Sequence, residues 1–349
     1  MPKAQCILLV GGGSGGHIIP NLAVATALKE KAPSVKLVYI GSRRPMDAQL
    51  VQPSGIPFYG IFAGKMRRYF SWRNFIDPFL VIIGFFQSLI ILIRFWPKVI
   101  FPKGGYVSLP VAFAAFILCR PIILHESDSR MGIANRIASK IAKKVCVAFP
   151  DLQEKSDKFI LTGNPIREEI LDGSSERGYQ LTSFTPNRPV VLVWGGSQGA
   201  QQINEMIEKE FSRLKTHFQI VHITGKGKGI SISDPAYCPF EYLDENLKHI
   251  YAITDFVIGR AGANSLFELA LIEKPNIVIP LKNLDQQKNA EYFEQNGATV
   301  ILREGHELYD LLIGLYNHPD KQESMKESLR SIAHPNATEE IVDLILDNT

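Results

Sequence analysis

Closely spaced cysteines are absent from this chain. Its 349 residues include four, Cys6, Cys119, Cys146 and Cys238, and no two stand at a spacing that would write a zinc site or a redox dithiol. Cys6 and Cys146 lie inside apolar runs, where a free thiol acts as a small hydrophobe. This usage points to a reduced, cytoplasmic protein. A secretory pattern is missing too: Met1-Pro2-Lys3-Ala4-Gln5 leads into the short run CILLV and then into glycines, too brief for a signal core. No Asp-x-Asp pair stands at a strand end. Acidic residues are scarce in the first half. Residues 1–150 hold 19 Lys+Arg against 5 Asp+Glu, and the remainder 19 against 30, beneath a net charge of only +3. A basic half joined to an acidic half points to an anionic surface or ligand for the first. With 46% hydrophobic residues the chain is too apolar for disorder.

What is present is a repeated βα pattern. Apolar, β-branched runs stand at 6–10, 35–40, 121–125, 144–149, 158–163, 190–194, 218–225, 255–259 and 276–280. They are apolar throughout rather than alternating, as parallel strands buried on both faces should be. Helical stretches such as 17–32, 131–143, 199–215 and 264–273 separate them. The fold class expected is α/β, with two Rossmann-like doubly wound parallel sheets, since nine or more strands are many for one sheet. The boundary is placed near Gly163-Asn164-Pro165, which gives domains 1–164 and 165–334 and a last segment, 335–349.

One segment breaks the pattern. Residues 75–96, FIDPFLVIIGFFQSLIILIRFW, are strongly apolar and are flanked by Arg67, Arg68, Arg73 and Lys98. The uninterrupted run from Phe79 to Ile93 falls short of the roughly 18–20 residues that span a bilayer. A buried helix, a membrane-surface helix and a membrane span remain open readings.

Three glycine-rich turns follow strands: Gly11 to Gly16 with His17 behind it, Gly104-Gly105-Tyr106, and Gly195-Gly196-Ser197-Gln198-Gly199. Glycine lets backbone amides approach a ligand, and a helix N-terminus favours negative charge. A tight strand-to-helix turn explains each of them equally well. The first formally matches G-x-G-x-x-G. An NAD site then requires an acid at the end of the next strand, but Ile40-Gly41-Ser42-Arg43-Arg44 offers none. NADP stays open through the arginines. A Walker loop fails because His17 stands where lysine is needed. In the second half, Arg260-Ala261-Gly262-Ala263-Asn264-Ser265-Leu266-Phe267-Glu268 follows a strand. Glu268 reads either as the far end of a capping box from Ser265 or as a carboxylate accepting bonds from ribose hydroxyls. Gln286 and Gln287 offer amides to sugar hydroxyls.

Together GGGSGGHIIPNLAVA (11–25), KGGYVSLP (103–110), LHESDSRMGIANRIASKIAKKV (124–145), GNPIR (163–167), GGSQGAQQIN (195–204), RAGANSLFEL (260–269) and DQQKNA (285–290) resemble the MurG family. These enzymes add N-acetylglucosamine to undecaprenyl-pyrophosphoryl-N-acetylmuramoyl-pentapeptide, converting lipid I to lipid II in peptidoglycan synthesis. The seven motifs occur in the family's order across nearly the whole chain. The resemblance implies a GT-B glycosyltransferase fold with two domains facing a cleft and a last helix returning to the first. It implies UDP-GlcNAc as donor, bound by the second domain, and a lipid-linked acceptor taken by the first. It also implies a peripheral protein at the cytoplasmic face of the bacterial inner membrane, docked through 75–96 on an anionic surface. Other cell-wall synthesis proteins are implied as possible associates, and nucleic acid is not.

By position the resemblance places Ser14, Gly15 and Gly16 near the sugar and diphosphate, and Arg167 and Ser197 at the diphosphate. It puts the Leu243 backbone on the uracil edge, Ala263, Asn264, Ser265, Leu266 and Phe267 along the helix start, and Glu268 on the ribose. Gln286 and Gln287 fall on GlcNAc, Asn135 faces the cleft, and Gly104, Gly105 and Tyr106 lie on the acceptor side. His125-Glu126-Ser127-Asp128 departs from the family's His-Glu-Gln-Asn and leaves the contact at Asp128 open. The implied reaction is an inverting displacement by the acceptor's C4 hydroxyl, with no metal or other cofactor required of the protein. His17 is the first candidate base, its ordinary pKa of ~6.5 suiting proton transfer near neutrality. It reads equally as a helix-start histidine, and Glu126 and Asp128 are the alternatives. A related GT-B transferase with another acceptor, an NADP-dependent oxidoreductase and a non-enzymatic membrane scaffold are the rival readings.

Overall fold

The computed structural model describes residues 5–64, 73–154, 156–196, 199–282 and 284–349. The chain divides into two compact units, Met1–Ile166 with His334–Thr349, and Arg167–Ala333.

Unit 1 runs β1 (Cys6–Val10), α1 (Gly15–Lys31), β2 (Lys36–Ser42), α2 (Pro45–Val51), β3 (Phe58–Ile61), α3 (Arg73–Phe95), β4 (Val99–Pro102), α4 (Ser108–Ile117), β5 (Ile123–Glu126), α5 (Ile133–Ile141), β6 (Lys144–Val147), α6 (Pro150–Gln153) and β7 (Phe159–Leu161). Unit 2 runs α7 (Ser175–Thr182), β8 (Val190–Trp194), α8 (Gln201–Leu214), β9 (Gln219–Ile223), β10 (Tyr237–Phe240), α9 (Leu247–Ile253), β11 (Phe256–Gly259), α10 (Ala263–Leu271), β12 (Asn276–Val278), α11 (Leu284–Gln295), β13 (Val300–Ile301), α12 (Leu308–Tyr316) and α13 (Pro319–Ile332). The chain ends in α14 (Ala337–Leu346), which belongs to unit 1.

In unit 1 the parallel strands are ordered β3-β2-β1-β4 and β5-β6-β7, and one parallel bridge between Ile100 and Ile122 joins the two sets. The side chains alternate, as strand geometry dictates. Leu8, Val10, Val38 and Ile40 pack with Leu92 of α3 and Val111, Ala114 and Ala115 of α4. Ile7, Leu9, Leu37 and Tyr39 pack with Ile18, Val24 and Leu28 of α1 and Ile341, Val342 and Ile345 of α14. Both faces are covered, so the strands read as unbroken apolar runs.

Unit 2 has the parallel order β10-β9-β8-β11-β12-β13. Each unit therefore starts a sheet in the middle, builds outward, and then reverses. In such sheets the ligand crevice lies beyond the strand C-termini at the point of reversal. In unit 1 that point is between β1 and β4, and in unit 2 between β8 and β11. The three glycine turns follow three of those four strands, β1, β4 and β8.

Three strands went unread in the sequence: β3, β10 and β13. All are sheet edges. An edge strand is paired on one side only and tolerates residues that weaken a strand, here Gly60 in β3 and Pro239 in β10.

The apolar segment is the helix α3. At 23 residues it is about 34 Å long, and by length and composition Asp77–Phe95 is sufficient to cross a membrane. The expectation that it is too short does not hold, because the helix continues beyond the uninterrupted apolar run. One face, however, is committed to protein. Ser88 and Leu92 are fully buried, with Phe85 and Leu89 packed beside them. Gly84 passes so close to strand β3 that a Cβ there would lie 1.9 Å from the Phe62 carbonyl oxygen. The other face is open: Phe79 and Ile90 are each 67% exposed, and Ile82, Ile83, Phe86 and Ile93 are exposed with them. Phe113, Phe116 and Ile117 of α4 and Trp96 are exposed as well.

Candidate functional site

In unit 1 the turn after β1 is held from inside by a residue that the sequence reading passed over. Asp47, buried at the start of α2, accepts from the Gly13 amide at 3.0 Å, the Ser42 amide at 2.9 Å and the Ser42 hydroxyl at 2.7 Å. A Cβ on Gly12 would lie 2.3 Å from its Oδ2. The carboxylate thus occupies the amide that a dinucleotide pyrophosphate would take. The arginines are engaged too. Arg43 lies over the Phe62 ring at 4.4 Å, and Arg44 donates to the Gly13 carbonyl at 3.1 Å while lying 5.7 Å from the Tyr106 ring centroid. The NADP alternative loses both its phosphate cradle and the free guanidinium at Arg44.

Helix α1 begins behind this turn. Ser14 is its extended N-cap residue, and the hydroxyl makes no capping bond. Gly15 and Gly16 form the first turn, which brings His17 beneath the loop that follows β4. A Cβ on Gly105 would come within 3.1 Å of the His17 ring, and one on Gly104 within 3.4 Å. Gly104 and Gly105 have φ of +106° and +78°, conformations that glycine adopts freely. The Nδ1 of His17 is buried without a partner. Burial first, and then the charge of Lys103, depress the imidazole pKa to about 4, so the ring is neutral at pH 7.

Asn135 of α5 borders the same place. Its amide donates to the His125 carbonyl at 3.1 Å and to Glu126 Oε2 at 3.0 Å, while its Oδ1 is buried and unpartnered. Glu126 also accepts from the Asp128 amide at 3.1 Å and the Gly132 amide at 3.0 Å. These three donors bind its carboxylate into the 126–132 loop. Burial, then the neighbouring Asp128 charge, raise its pKa to about 7. Asp128 itself is half-buried on the loop. The switch point of unit 1 therefore gathers Ser14, Gly15, Gly16, His17, Gly104, Gly105, Tyr106, Glu126, Asp128 and Asn135.

Beneath them lies Lys103, 1% exposed. Its Nζ meets His125 Nδ1 at 2.9 Å, Asn164 Oδ1 at 2.9 Å and the Ser127 hydroxyl. Sequence reasoning placed no role on it. The available signal was a charge directly after the apolar strand β4, at a strand end where sheet ligands bind.

In unit 2 the turn after β8 requires Gly195 and Gly199. A Cβ on Gly195 would lie 2.2 Å from the Ala200 nitrogen, and Gly199 has φ +66°. Ser197 lies outside the described residues. Across the switch point Gly262 is the N-cap residue of α10, and Ala263, Asn264 and Ser265 form its first turn. The capping-box reading of Ser265 and Glu268 fails, because the N-cap residue is Gly262, three residues before Ser265, and the helix makes no side-chain cap bond. Glu268 instead accepts from the Tyr251 hydroxyl at 3.1 Å. Burial raises its carboxyl pKa to about 7 against the opposing effects of Tyr251 and the Arg167 charge. Arg167 pairs with Asp244 at 3.1 Å, next to Leu243. The Arg167 charge thus reaches Glu268 in the middle of α10, next to Leu266 and Phe267, while its ion pair holds the segment that carries Leu243.

Asn289 of α11 reaches the Ala261 carbonyl at 3.4 Å, which ties the helix bearing Gln286 and Gln287 to the same turn. Gln286 accepts from the Leu281 amide at 3.0 Å, and Gln287 is exposed. Arg260 is buried and donates to Ile279 O at 2.8 Å and Gln202 at 3.1 Å, linking β12 and α8 behind the site. Among the described residues no group of three or more His, Cys, Asp or Glu side chains is arranged to hold a metal ion.

Two parallel-sheet units of this order, each with a glycine turn and a helix start at its switch point, have the architecture of a two-domain nucleotide-sugar enzyme. Residues 7–147 match the glycosyltransferase family 28 N-terminal domain and residues 190–342 its C-terminal domain. Over nearly its whole length the chain is similar to enzymes named UDP-N-acetylglucosamine–N-acetylmuramyl-(pentapeptide) pyrophosphoryl-undecaprenol N-acetylglucosamine transferase. It is 40% identical to that of Clostridium kluyveri, covering 97% of this chain and 98% of the relative. It is 36% identical to that of Legionella pneumophila strain Lens, covering 97% and 96%. A crystal structure of Acinetobacter baumannii MurG shares the fold, with a TM-score of 0.76 at 24% identity over 98% of this chain and 99% of that one. The chain belongs to this family of glycosyltransferases, the MurG family.

Proposed function

We propose that the chain transfers N-acetylglucosamine from UDP-GlcNAc to the C4 hydroxyl of undecaprenyl-pyrophosphoryl-N-acetylmuramoyl-pentapeptide, with inversion at the sugar carbon. The observation that carries the donor half is that Arg167 acts on Glu268 of α10 while pairing with Asp244, next to Leu243. The half-buried Glu268 carboxylate suits ribose hydroxyls, which need an acceptor. The helix start and Arg167 suit a departing diphosphate, whose charge grows in the transition state. Ser197 keeps its place in this reading through the resemblance alone.

The acceptor half falls to unit 1. His17 is neutral at working pH and has an unpartnered ring nitrogen, so it is able to take a proton. Glu126 has its oxygens bound to three donors and shapes the loop, which leaves Asp128 as the carboxylate alternative. The lipid half of the acceptor calls for a membrane surface, and the open apolar face of α3 and α4 suits one. Lys98, Arg94 and Arg120 at its margin suit anionic headgroups.

Calorimetric titration with UDP-GlcNAc, UDP-glucose and NADPH, followed by turnover with a short-chain lipid acceptor, tests the reading. Preferential UDP-GlcNAc binding and UDP release on acceptor addition are expected. NADPH binding without UDP-GlcNAc binding would overturn it.

A further inference from the structure

A lysine ammonium taken out of water costs several kcal/mol unless it is well bonded or paired. Lys103 is buried at the ends of three strands, after β4, at β5 and beyond β7. Its three hydrogen-bond partners are all uncharged. His125 Nε2 bonds the Gly163 carbonyl at 2.9 Å, so that nitrogen carries the proton and Nδ1 is an acceptor. Ser127 donates onward to Asn164 Oδ1 at 3.1 Å and so accepts from the lysine. The three protons of an ammonium therefore find three acceptors: His125 Nδ1, Ser127 Oγ and Asn164 Oδ1. The cation is fully bonded. Its compensating negative charge has to come from groups that it does not touch.

Those groups are identifiable on every element packed around it. Glu126 stands at the end of β5, Asp128 on the loop beyond, and Cys146 on β6. His17 of α1 and His125 of β5 are the basic neighbours, and the charge of Lys103 weighs on both. Burial lowers the Lys103 pKa to about 7, and the Glu126 and Asp128 charges oppose that fall. Coupling of this kind is reciprocal: whatever the carboxylates do for the ammonium, it does for them.

We propose that Lys103 is a positioning residue for the transfer reaction: bonded to Ser127, it fixes the 126–132 loop and with it the place of Asp128 on that loop. The proposal rests on the functional reading above and names a residue which that reading does not use. Lys103 is buried, and its three bonds all go to protein groups. It acts through the loop carboxylate, so its removal moves the pH dependence of the reaction and leaves UDP-GlcNAc affinity in place.

The test uses Lys103→Met, Asp128→Asn and the double variant in the full chain. Lys103→Met is expected to lower kcat by about tenfold or more and to move the acid limb of kcat/KM upward, since a lost cation raises the pKa of the groups its charge weighed on, His17 among them. The double variant is expected to lose no more than Asp128→Asn alone, because coupled groups are not additive. A folded Lys103→Met with the native acid limb, or additive losses, would overturn the proposal. A second arm leaves Lys103 intact. Nitrogen NMR of its Nζ in the native chain and in Asp128→Asn should show the lysine pKa falling when the carboxylate is lost, and an unchanged titration sinks the coupling. This arm decides the matter if Lys103→Met fails to fold. A native chain that transfers no GlcNAc defeats the functional reading alone, and the NMR arm still judges Lys103.

Discussion

Asp47 Oδ2 accepts the Gly13 amide at 3.0 Å, so the first glycine turn is closed by the protein's own carboxylate, 34 residues further along the chain. A G-x-G-x-x-G spacing is commonly read as a phosphate cradle. Here the acid sits where an external anion would go, and the Ser42 hydroxyl and amide hold it there. Asp47→Ala leaves the buried Ser42 amide and hydroxyl and the half-buried Gly13 amide without their acceptor. At roughly 1–3 kcal/mol per stranded group, about 3 kcal/mol or more of stability should be lost, read as a fall in the urea midpoint at unchanged slope. NADPH should remain unbound in both forms. A variant of native stability would show that the turn holds itself.

His17 lies beneath Gly104 and Gly105, and its low pKa has a kinetic consequence. The ordinary histidine range would place an acid limb near pH 6.5. Burial and the Lys103 charge instead keep this ring neutral down to about pH 4. His17→Ala should cut kcat by about 100-fold or more if the ring takes the proton, with UDP-GlcNAc affinity nearly unchanged. Turnover within a few fold of native would remove it as the base. Gly105→Ala should mimic part of the loss, because its Cβ would press on the ring at 3.1 Å and on the Gly12 carbonyl at 2.8 Å.

The sheets and the glycine turns were legible because parallel strands buried on both faces leave unbroken apolar runs, and turns at their ends need glycine. The edge strands were not, since β3, β10 and β13 carry half the burial and little of that pattern. In the site, the residues next to glycine turns were readable from order along the chain. Asp47 and Lys103 were not. Each looks like an ordinary surface charge until its partners arrive: Gly13 from 34 residues away for one, Asn164 from 61 for the other. Glu268 shows the opposite error. Its spacing from Ser265 suggests a local cap, but its bond goes to Tyr251, one helix earlier.

Glu268 makes unit 2 pH-sensitive in a direction fixed by its raised pKa. The unfolded carboxyl ionises near pH 4.5 and the folded one near 7. Between those values the folded state holds the proton that the unfolded state has released. Stability therefore falls as pH rises from about 4.5 to about 7 and is level above that. Glu268→Gln should melt higher than the native chain at pH 8, with the gap closing at pH 4.5. Donor binding should run the other way: an ionised carboxylate accepts ribose hydroxyls better, so native UDP-GlcNAc affinity should weaken below pH 7 and the Gln variant should stay weak and flat. A native affinity without pH dependence would separate Glu268 from the ribose.

The outer face of α3 makes the last prediction. Phe86 and Ile90 stand exposed one turn apart on a helix whose inner face is locked to unit 1 by Ser88 and Leu92. Replacing either with Asp removes little packing, chiefly the edge contact of Phe86 with Phe85, so stability should change by about 1 kcal/mol or less. A carboxylate on that face should nonetheless oppose entry into an anionic headgroup layer. Phe86→Asp and Ile90→Asp should reduce co-sedimentation with anionic vesicles and leave UDP-GlcNAc affinity, which the proposed function assigns to unit 2, unchanged. Added salt should weaken native binding as well, since each Lys or Arg near such a surface contributes about 1 kcal/mol that salt screens. If both variants sediment with vesicles as the native chain does, the exposed face of α3 is not the docking surface, and membrane contact has to be sought elsewhere on the basic half.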